Sequence, residues 1–438
     1  MQTPVFDFVK KYAKKDMVRL HMPGHKGRSF LGCEKYDITE IKNAGVLYEN
    51  DGIISQSEKN AATLFGVPRT FYSTEGSSLC IKAMLSLCID KSGQKKVIAA
   101  RNVHKAFVHA AALLDAEVIW LKSNEGNFIS CQIDLAELEN LLKENKNSIV
   151  YLTSPDYLGN TNYIKAISLL CKNYGALLCV DNAHGAYLGF VDNAHPIKQG
   201  ADICSDSAHK TLPVLTGGAY LHLGEAFDDL KGKKIKDTMS VFGSTSPSYL
   251  TLASLDLCNK YLSENYKEKL SKFIERVNIL KAQLKSNGWF VLDSEPLKIT
   301  ILANNQENGF LLADKLRAKD IEPEFCDNDF LVLMLTPENS KRDLKRLVSA
   351  LGKTNAKPRE TIFPKVCWLP SKMSIRQAVF SDSEVLPVEE AVGRICANVT
   401  VSCPPAIPLC VSGEVITDEV VKACKYYKIE YISVIKKP

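Results

Sequence analysis

Between residues 60 and 225 short apolar runs alternate with amphipathic segments, and few sequence patterns restrict a fold as tightly. The runs VIAA (97–100), EVIWL (117–121), SIVYLTSP (148–155) and ALLCVDNAH (176–184) read as strands. Ser77–Leu87, Lys105–Leu114, Leu135–Glu144 and Ile164–Asn173 carry apolar residues three and four apart and read as helices. Parallel strands need long crossovers, which helices supply. The alternation therefore predicts an α/β fold, a mainly parallel sheet with helices on both faces.

Past residue 245 the pattern changes. Tyr249–Leu284 reads as one long helix, followed by apolar alternating runs at 289–303 and 330–336 with a helix at Phe310–Lys319 between them. That order predicts a second, smaller α+β domain. The polar stretch KTNAKPRETIFP (353–364) reads as a linker, and CPPAIP (403–408) lies in an appended C-terminal segment. The expected organisation is an N-terminal segment (1–50), a large domain (51–245), a small domain (246–352) and a C-terminal domain (365–438).

Composition narrows the setting. Hydrophobic residues make up 45% of the 438 and charged residues 24%, as in soluble globular proteins. The formal charge of +5 is spread along the chain and gives no reason to expect nucleic acid as a partner. The densest basic run, KGKKIK (231–236), reads as a solvated loop or helix face. The 14 cysteines stand singly, often within apolar stretches, with no Cys-x-x-Cys pair, so they read as reduced thiols of a cytoplasmic protein. MQTPVFDFVKKYAKKD lacks a signal-peptide core, and no apolar stretch reaches the length of a membrane span.

Four groups of residues fall at strand ends. Lys210 follows the apolar segment ADIC (201–204) among Ser205, Ser207, Ala208 and Thr211, where a solvated lysine would have charged neighbours. Desolvation lowers a lysine's pKa and readies its amine for imine chemistry. His209 beside it can donate to a phosphate. Asp181 ends a strand on the edge where open α/β sheets bind ligands. A carboxylate there either keeps a cofactor's ring nitrogen protonated or caps a helix. Gly76, Ser77 and Ser78 open a helical run, as a phosphate site or as a simple serine cap. His104, just after VIAA, can lie flat on a ring, although a lone histidine is more often a surface or core residue. A phosphate cup, a stacking imidazole, a carboxylate and an amine are together the set that pyridoxal phosphate (PLP) requires. The histidines are scattered, with no HExxH spacing and no Cys/His pairs, so no metal centre is expected; Gly-x-Ser-x-Gly and Walker loops are missing too.

HMPGHKGR (21–28), TEGSS (74–78), RNVHK (101–105), VDNAHGAYL (180–188), SDSAHKTLPVLTGGA (205–219), STSPSYLTLASLD (244–256) and CPPAIPL (403–409) occur in this order. With them the chain resembles the ornithine/lysine/arginine decarboxylase family, of the fold shared with aspartate aminotransferase. SAHKTLP and STSPSYL are the most diagnostic. The resemblance implies a PLP-dependent decarboxylase of a basic amino acid, linked to polyamine synthesis, with Lys210 carrying the cofactor as a Schiff base. Asp181 would pair with the pyridine nitrogen, His104 would stack on the ring, and Ser77, Ser78, Ser207 and His209 would hold the phosphate, with Gly76 and Ala183 in the same pocket. Lys210 or His209 would return a proton to Cα. Ser244, Thr245 and Ser246 match a segment that reaches the neighbouring subunit's phosphate, which implies a homodimer with shared active sites. Glu414 and His25 are candidates for the substrate, Glu414 for its distal cation; as an alternative Glu414 is a solvated surface carboxylate.

The chain departs from the family pattern in three places. It begins almost at the MPGHK motif, as in short members without an N-terminal wing domain. Asn182 stands where the family often has Glu after the key aspartate, and Cys403 and Ala406 alter the usual Tyr-Pro-Pro-Gly turn. Two alternatives keep the fold and change the role: an aminotransferase or other PLP-dependent lyase, or a catalytically silent regulatory homologue. Retention of Lys210, Asp181 and His104 argues against the second.

Overall fold

In the computed structural model of the protein, which describes residues 1–121, 126–127, 129–360, 369–398, 400–403 and 407–437, every strand and helix expected between 60 and 225 is present, its ends moved by a few residues. Seven strands carry this alternation: β1 (Arg69–Ser73), β2 (Lys96–Ala99), β3 (Glu117–Trp120), β4 (Ile149–Thr153), β5 (Leu177–Asp181), β6 (Ile203–Asp206) and β7 (Ala219–Leu223). The chain divides into two units, one of Met1–Gly93, Ile164–Asn173 and Leu177–Lys269, the other of Gln94–Tyr163, Tyr174–Ala176 and Leu270–Pro438.

The first unit holds the run β1-β7-β6-β5. β5 and β6 are parallel, with Asp181 opposite Ser205. β7 runs antiparallel to both β6 and β1, so β1, β5 and β6 point the same way and end on one edge. Each of these strands is almost wholly buried, as expected where both faces of a sheet are covered. The second unit holds the parallel run β4-β2-β3 and a separate antiparallel sheet of β8 (Phe290–Val291), β9 (Lys298–Leu302), β10 (Phe325–Cys326) and β11 (Phe330–Met334), in the order β8-β9-β11-β10. Phe330 and Val332 of that sheet share a core with Leu409, Ile416 and Val434 of the C-terminal segment.

Two sequence expectations are corrected. The long helix is two, Tyr249–Ser263 and Tyr266–Ser286, because Asn265 adopts a left-handed conformation (φ 59°) that asparagine tolerates better than most residues. The basic run 231–236 is not solvated throughout. It lies in the helix Gly232–Ser240 and turns Lys236 inward, where its Nζ meets Glu58 Oε2 at 2.8 Å and the Leu47 carbonyl at 2.7 Å. Burial pushes the Glu58 carboxyl up against the pull of Lys236. Residues 361–364 of the expected linker and Pro404–Ala406 of the CPPAIP turn lie outside the described residues. No helix among the described residues is long and apolar enough to cross a membrane.

The last residue of STSPSYLTLASLD serves the fold. Asp256, fully buried, accepts from the amides of Val5 (2.8 Å) and Phe6 (2.9 Å) at the start of helix Pro4–Ala13, and from Ser57 Oγ. It thus caps a helix some 250 residues away, where no side chain of the local N-cap residue does so. Asp256→Ala leaves three donors without their acceptor and is expected to lower stability by about 3 kcal/mol in chemical denaturation. A loss under about 0.5 kcal/mol would remove Asp256 from this role.

Candidate active site

The edge where β1, β5 and β6 end collects most of the residues singled out in the sequence. After β1 the chain turns at Gly76 (φ 71°) into the helix Gly76–Ser92. The Gly76 amide donates to the Gly217 carbonyl at 2.7 Å, which locks the loop before β7 against the helix start. Gly217 itself has φ 95°, and a Cβ there would meet the Thr74 carbonyl oxygen at 2.6 Å, so only glycine closes this turn. Glu75, the N-cap residue, makes no capping bond to the first turn; its carboxylate takes the Ser244 amide instead. The helix start is thus uncapped by its own side chain, with Ser77 and Ser78 in its first turn. Ser207 Oγ joins from the end of β6, 2.9 Å from Ser77 Oγ. Uncapped amides at the positive end of a helix dipole, with converging hydroxyls, suit a phosphate dianion.

Asp181 is the last residue of β5, buried, with Oδ1 accepting from the Ala183 amide at 3.1 Å. Lys210 lies half-buried in the single turn Ala208–Thr211 after β6. Its Nζ sits 3.0 Å from His184 Nε2. His184 was missed by sequence reasoning, although it lies within VDNAHGAYL; nothing in the linear order ties it to a lysine 26 residues on. His209 Nδ1 donates to the Gly218 carbonyl at 3.1 Å, which fixes its tautomer and leaves Nε2 as the ring's other polar atom. The donor set of one amine, one carboxylate, three serine hydroxyls and two imidazoles at a strand edge fits a phosphorylated pyridine aldehyde.

Behind this edge lies a buried polar network. Asp206, Asn182, His195 and His222 are fully buried. Asp206 Oδ1 accepts from Asn182 Nδ2 at 2.8 Å, and Oδ2 lies 3.2 Å from His195 Nε2 and 3.4 Å from His222 Nε2. Burial would raise Asp206, but His195 and then His222 overturn it and hold the carboxyl below its ordinary range. The two histidines and the aspartate are close enough to share a metal ion. The His195 tautomer points elsewhere: Nδ1 accepts from the Ile197 amide at 3.4 Å, so Nε2 carries the proton and donates it to Asp206.

Ser244, Thr245 and Ser246 are exposed on the first unit, with Ser246 N donating to Ser244 Oγ at 3.1 Å. His25 lies in the first unit between Asp37 Oδ2 (3.2 Å) and the Gly27 amide (3.0 Å). His104 belongs to the second unit and caps the helix Lys105–Leu114, Nδ1 accepting from Ala106 N at 3.1 Å. Glu414, also in the second unit, is neither a solvated surface carboxylate nor a free partner for a substrate cation. Only 4% exposed, it is 2.7 Å from Arg101 Nη2 and accepts from Val411 N at 2.7 Å. Arg101 in turn lies over the Trp120 ring at 4.8 Å. A buried guanidinium would be left uncompensated without Glu414, so this carboxylate is committed to the fold.

The sequence matches the family model described as Orn/Lys/Arg decarboxylase, major domain, over residues 3–306, and that of the Orn/Lys/Arg decarboxylase C-terminal domain over residues 356–434. An arginine decarboxylase of Bacillus subtilis (strain 168) is 30% identical over 456 residues, covering 95% of this chain and 92% of the relative. The constitutive lysine decarboxylase of Escherichia coli (strain K12) is 21% identical, covering 95% and 75%. Among solved structures, lysine decarboxylase A from Pseudomonas aeruginosa superposes with a TM-score of 0.82 at 16% identity, over 99% of this chain and 80% of that one. An alanine–glyoxylate aminotransferase from Nostoc sp. reaches 0.54 at 14% identity, over 71% of this chain and 89% of that one. The expected aminotransferase-type α/β fold is the one adopted.

Proposed function

Since the chain belongs to the Orn/Lys/Arg decarboxylase family and is an amino-acid decarboxylase, we propose that it removes the α-carboxylate of a basic amino acid using PLP held on Lys210. The products are CO2 and the corresponding amine. Of the three substrates arginine is placed first, because the relatives named arginine decarboxylase are more similar and match over more of their length than those named lysine decarboxylase. The observation that carries the reading is the shared edge of β1, β5 and β6, where a carboxylate, an amine and a phosphate-type cup meet.

PLP, when bound, supplies an electron sink for the bond broken at Cα. Asp181, fixed at the end of β5, would hold the cofactor's ring nitrogen protonated. Ser77, Ser78, Ser207 and His209 take the phosphate, with Gly76 and Ala183 leaving room for it. The Lys210 amine would hold the cofactor's aldehyde and would return a proton to the substrate's Cα. His184 Nε2, 3.0 Å away, holds the Lys210 amine in place and exchanges a proton with it. His104 is assigned to the ring face: its Nδ1 is engaged with the backbone, which fixes the plane of the imidazole.

A homodimer with shared active sites completes the proposal. In the first unit Val18, Leu20, Phe30 and Leu31, which flank HMPGHKGR on both sides, are each at least 79% exposed, an apolar surface that a second copy would cover. Ser244, Thr245 and Ser246, exposed in one copy, are assigned to the phosphate of the other. We place the enzyme in the cytoplasm, in polyamine synthesis.

Incubating the purified protein with PLP and arginine, lysine or ornithine, and identifying the products, tests the reaction. CO2 and one amine in stoichiometric amounts are expected, most rapidly from arginine. A keto acid formed without CO2 would make the chain an aminotransferase instead.

A further inference from the structure

Asn182 lies between two residues of the proposed site, Asp181 and His184, yet its own side chain points into the buried network. Its Nδ2 donates to Asp206 Oδ1 at 2.8 Å, and its backbone amide donates to the Ser205 carbonyl at 2.9 Å. Its carbonyl accepts from the Gly185 amide at 2.8 Å, closing the turn that carries His184. Asp206 in turn immediately precedes Ser207, on the strand that leads to Lys210. One side-chain contact therefore joins the end of β5, with its ring-nitrogen carboxylate, to the end of β6, with its phosphate ligand and lysine.

We propose that Asn182 and Asp206 are positioning residues, a matched amide–carboxylate clamp that sets Asp181 and His184 relative to Ser207 and Lys210. The clamp rests on the assignment of Asp181 to the cofactor's ring nitrogen. Its chemistry accounts for the residue type. Asp206 is ionised and held by His195 and His222, so the partner at 182 must donate, and an amide does. A carboxylate at 182 would stand against a second buried negative charge. The clamp touches no reacting atom. Its effect is geometric, and misplacing a catalytic group by about 1 Å costs on the order of 100-fold in rate.

The exchange of the two side chains is the test. Asn182→Asp alone buries two carboxylates in contact and is expected to lower kcat by about 10- to 100-fold at saturating PLP and substrate, with KM changed little; Asp206→Asn alone leaves two amides that can still pair and is expected to stay within about tenfold of the parent. In the double variant the amide now at position 206 can donate to the carboxylate now at position 182, while its carbonyl oxygen accepts from His195. The kcat is therefore expected to recover to within about tenfold of the parent. The visible band of the bound cofactor should shift in Asn182→Asp and return in the double variant. Asn182→Ala, which removes the contact without burying a charge, keeps the test open if a single variant fails to fold. Losses that add in the double variant, or an Asn182→Ala enzyme with a lower melting temperature but parental kcat, would overturn the clamp. If Asp181→Asn itself left the rate unchanged, the cofactor assignment would fall and the clamp with it. If Asp181→Asn is slow and the exchange rescues nothing, only the clamp falls.

Discussion

Lys210→Ala protein is expected to release no amine, with turnover reduced by about 10⁴-fold or more, and to lack the visible absorbance of covalently held cofactor. Two functions are lost together. The amine proposed to hold the aldehyde is gone, and with it the proposed proton donor beside His184 Nε2. The alanine is accommodated without new strain, because Lys210 is only half-buried and its turn is held by backbone bonds, among them Lys210 N to the Ser207 carbonyl at 3.1 Å. The variant should therefore fold and still bind PLP through its phosphate, without the covalent bond. Product assay and an absorbance spectrum of the same sample decide the matter. Activity within tenfold of the parent would remove Lys210 from the chemistry.

Asp181→Asn is the second large effect. Asparagine is isosteric and its Oδ1 can still accept from the Ala183 amide, so the end of β5 keeps its shape. What disappears is the negative charge proposed to keep the ring nitrogen protonated. Cofactor binding should persist, because the cup at Gly76–Ser78 and the Lys210 amine are untouched, while kcat should fall by about 10³-fold. Measuring bound PLP and kcat together separates the two. A rate within a few-fold of the parent would mean that Asp181 serves only as a local cap.

The sequence made some levels of this molecule readable and hid others for physical reasons. Strand–helix alternation is written locally, so the parallel strands and their crossover helices emerge from spacing alone, and Asp181 and the Gly76–Ser78 turn sit at strand ends that periodicity locates. Contacts between distant residues leave no local trace. Arg101 and Glu414 are 313 positions apart, and nothing near Glu414 tells that its charge is already matched. Asp206 stands next to Ser207 in SDSAHK, but its burial among His195, His222 and Asn182 depends on three other segments of the chain. Lys236 looked solvated because its neighbours Lys233 and Lys234 are; helical rotation alone turns it toward Glu58. The break at Asn265 was hidden because a single left-handed residue leaves the apolar spacing on either side intact.

The claim beneath all of this is that one particular amine forms a reversible bond with an aldehyde cofactor. Treating the PLP-loaded protein with borohydride, digesting it and sequencing the modified peptide by mass spectrometry tests that bond directly. A reduced pyridoxyl group on Lys210 is the predicted result. A tag on another lysine, or none at all in a protein that still decarboxylates its substrate, would contradict it.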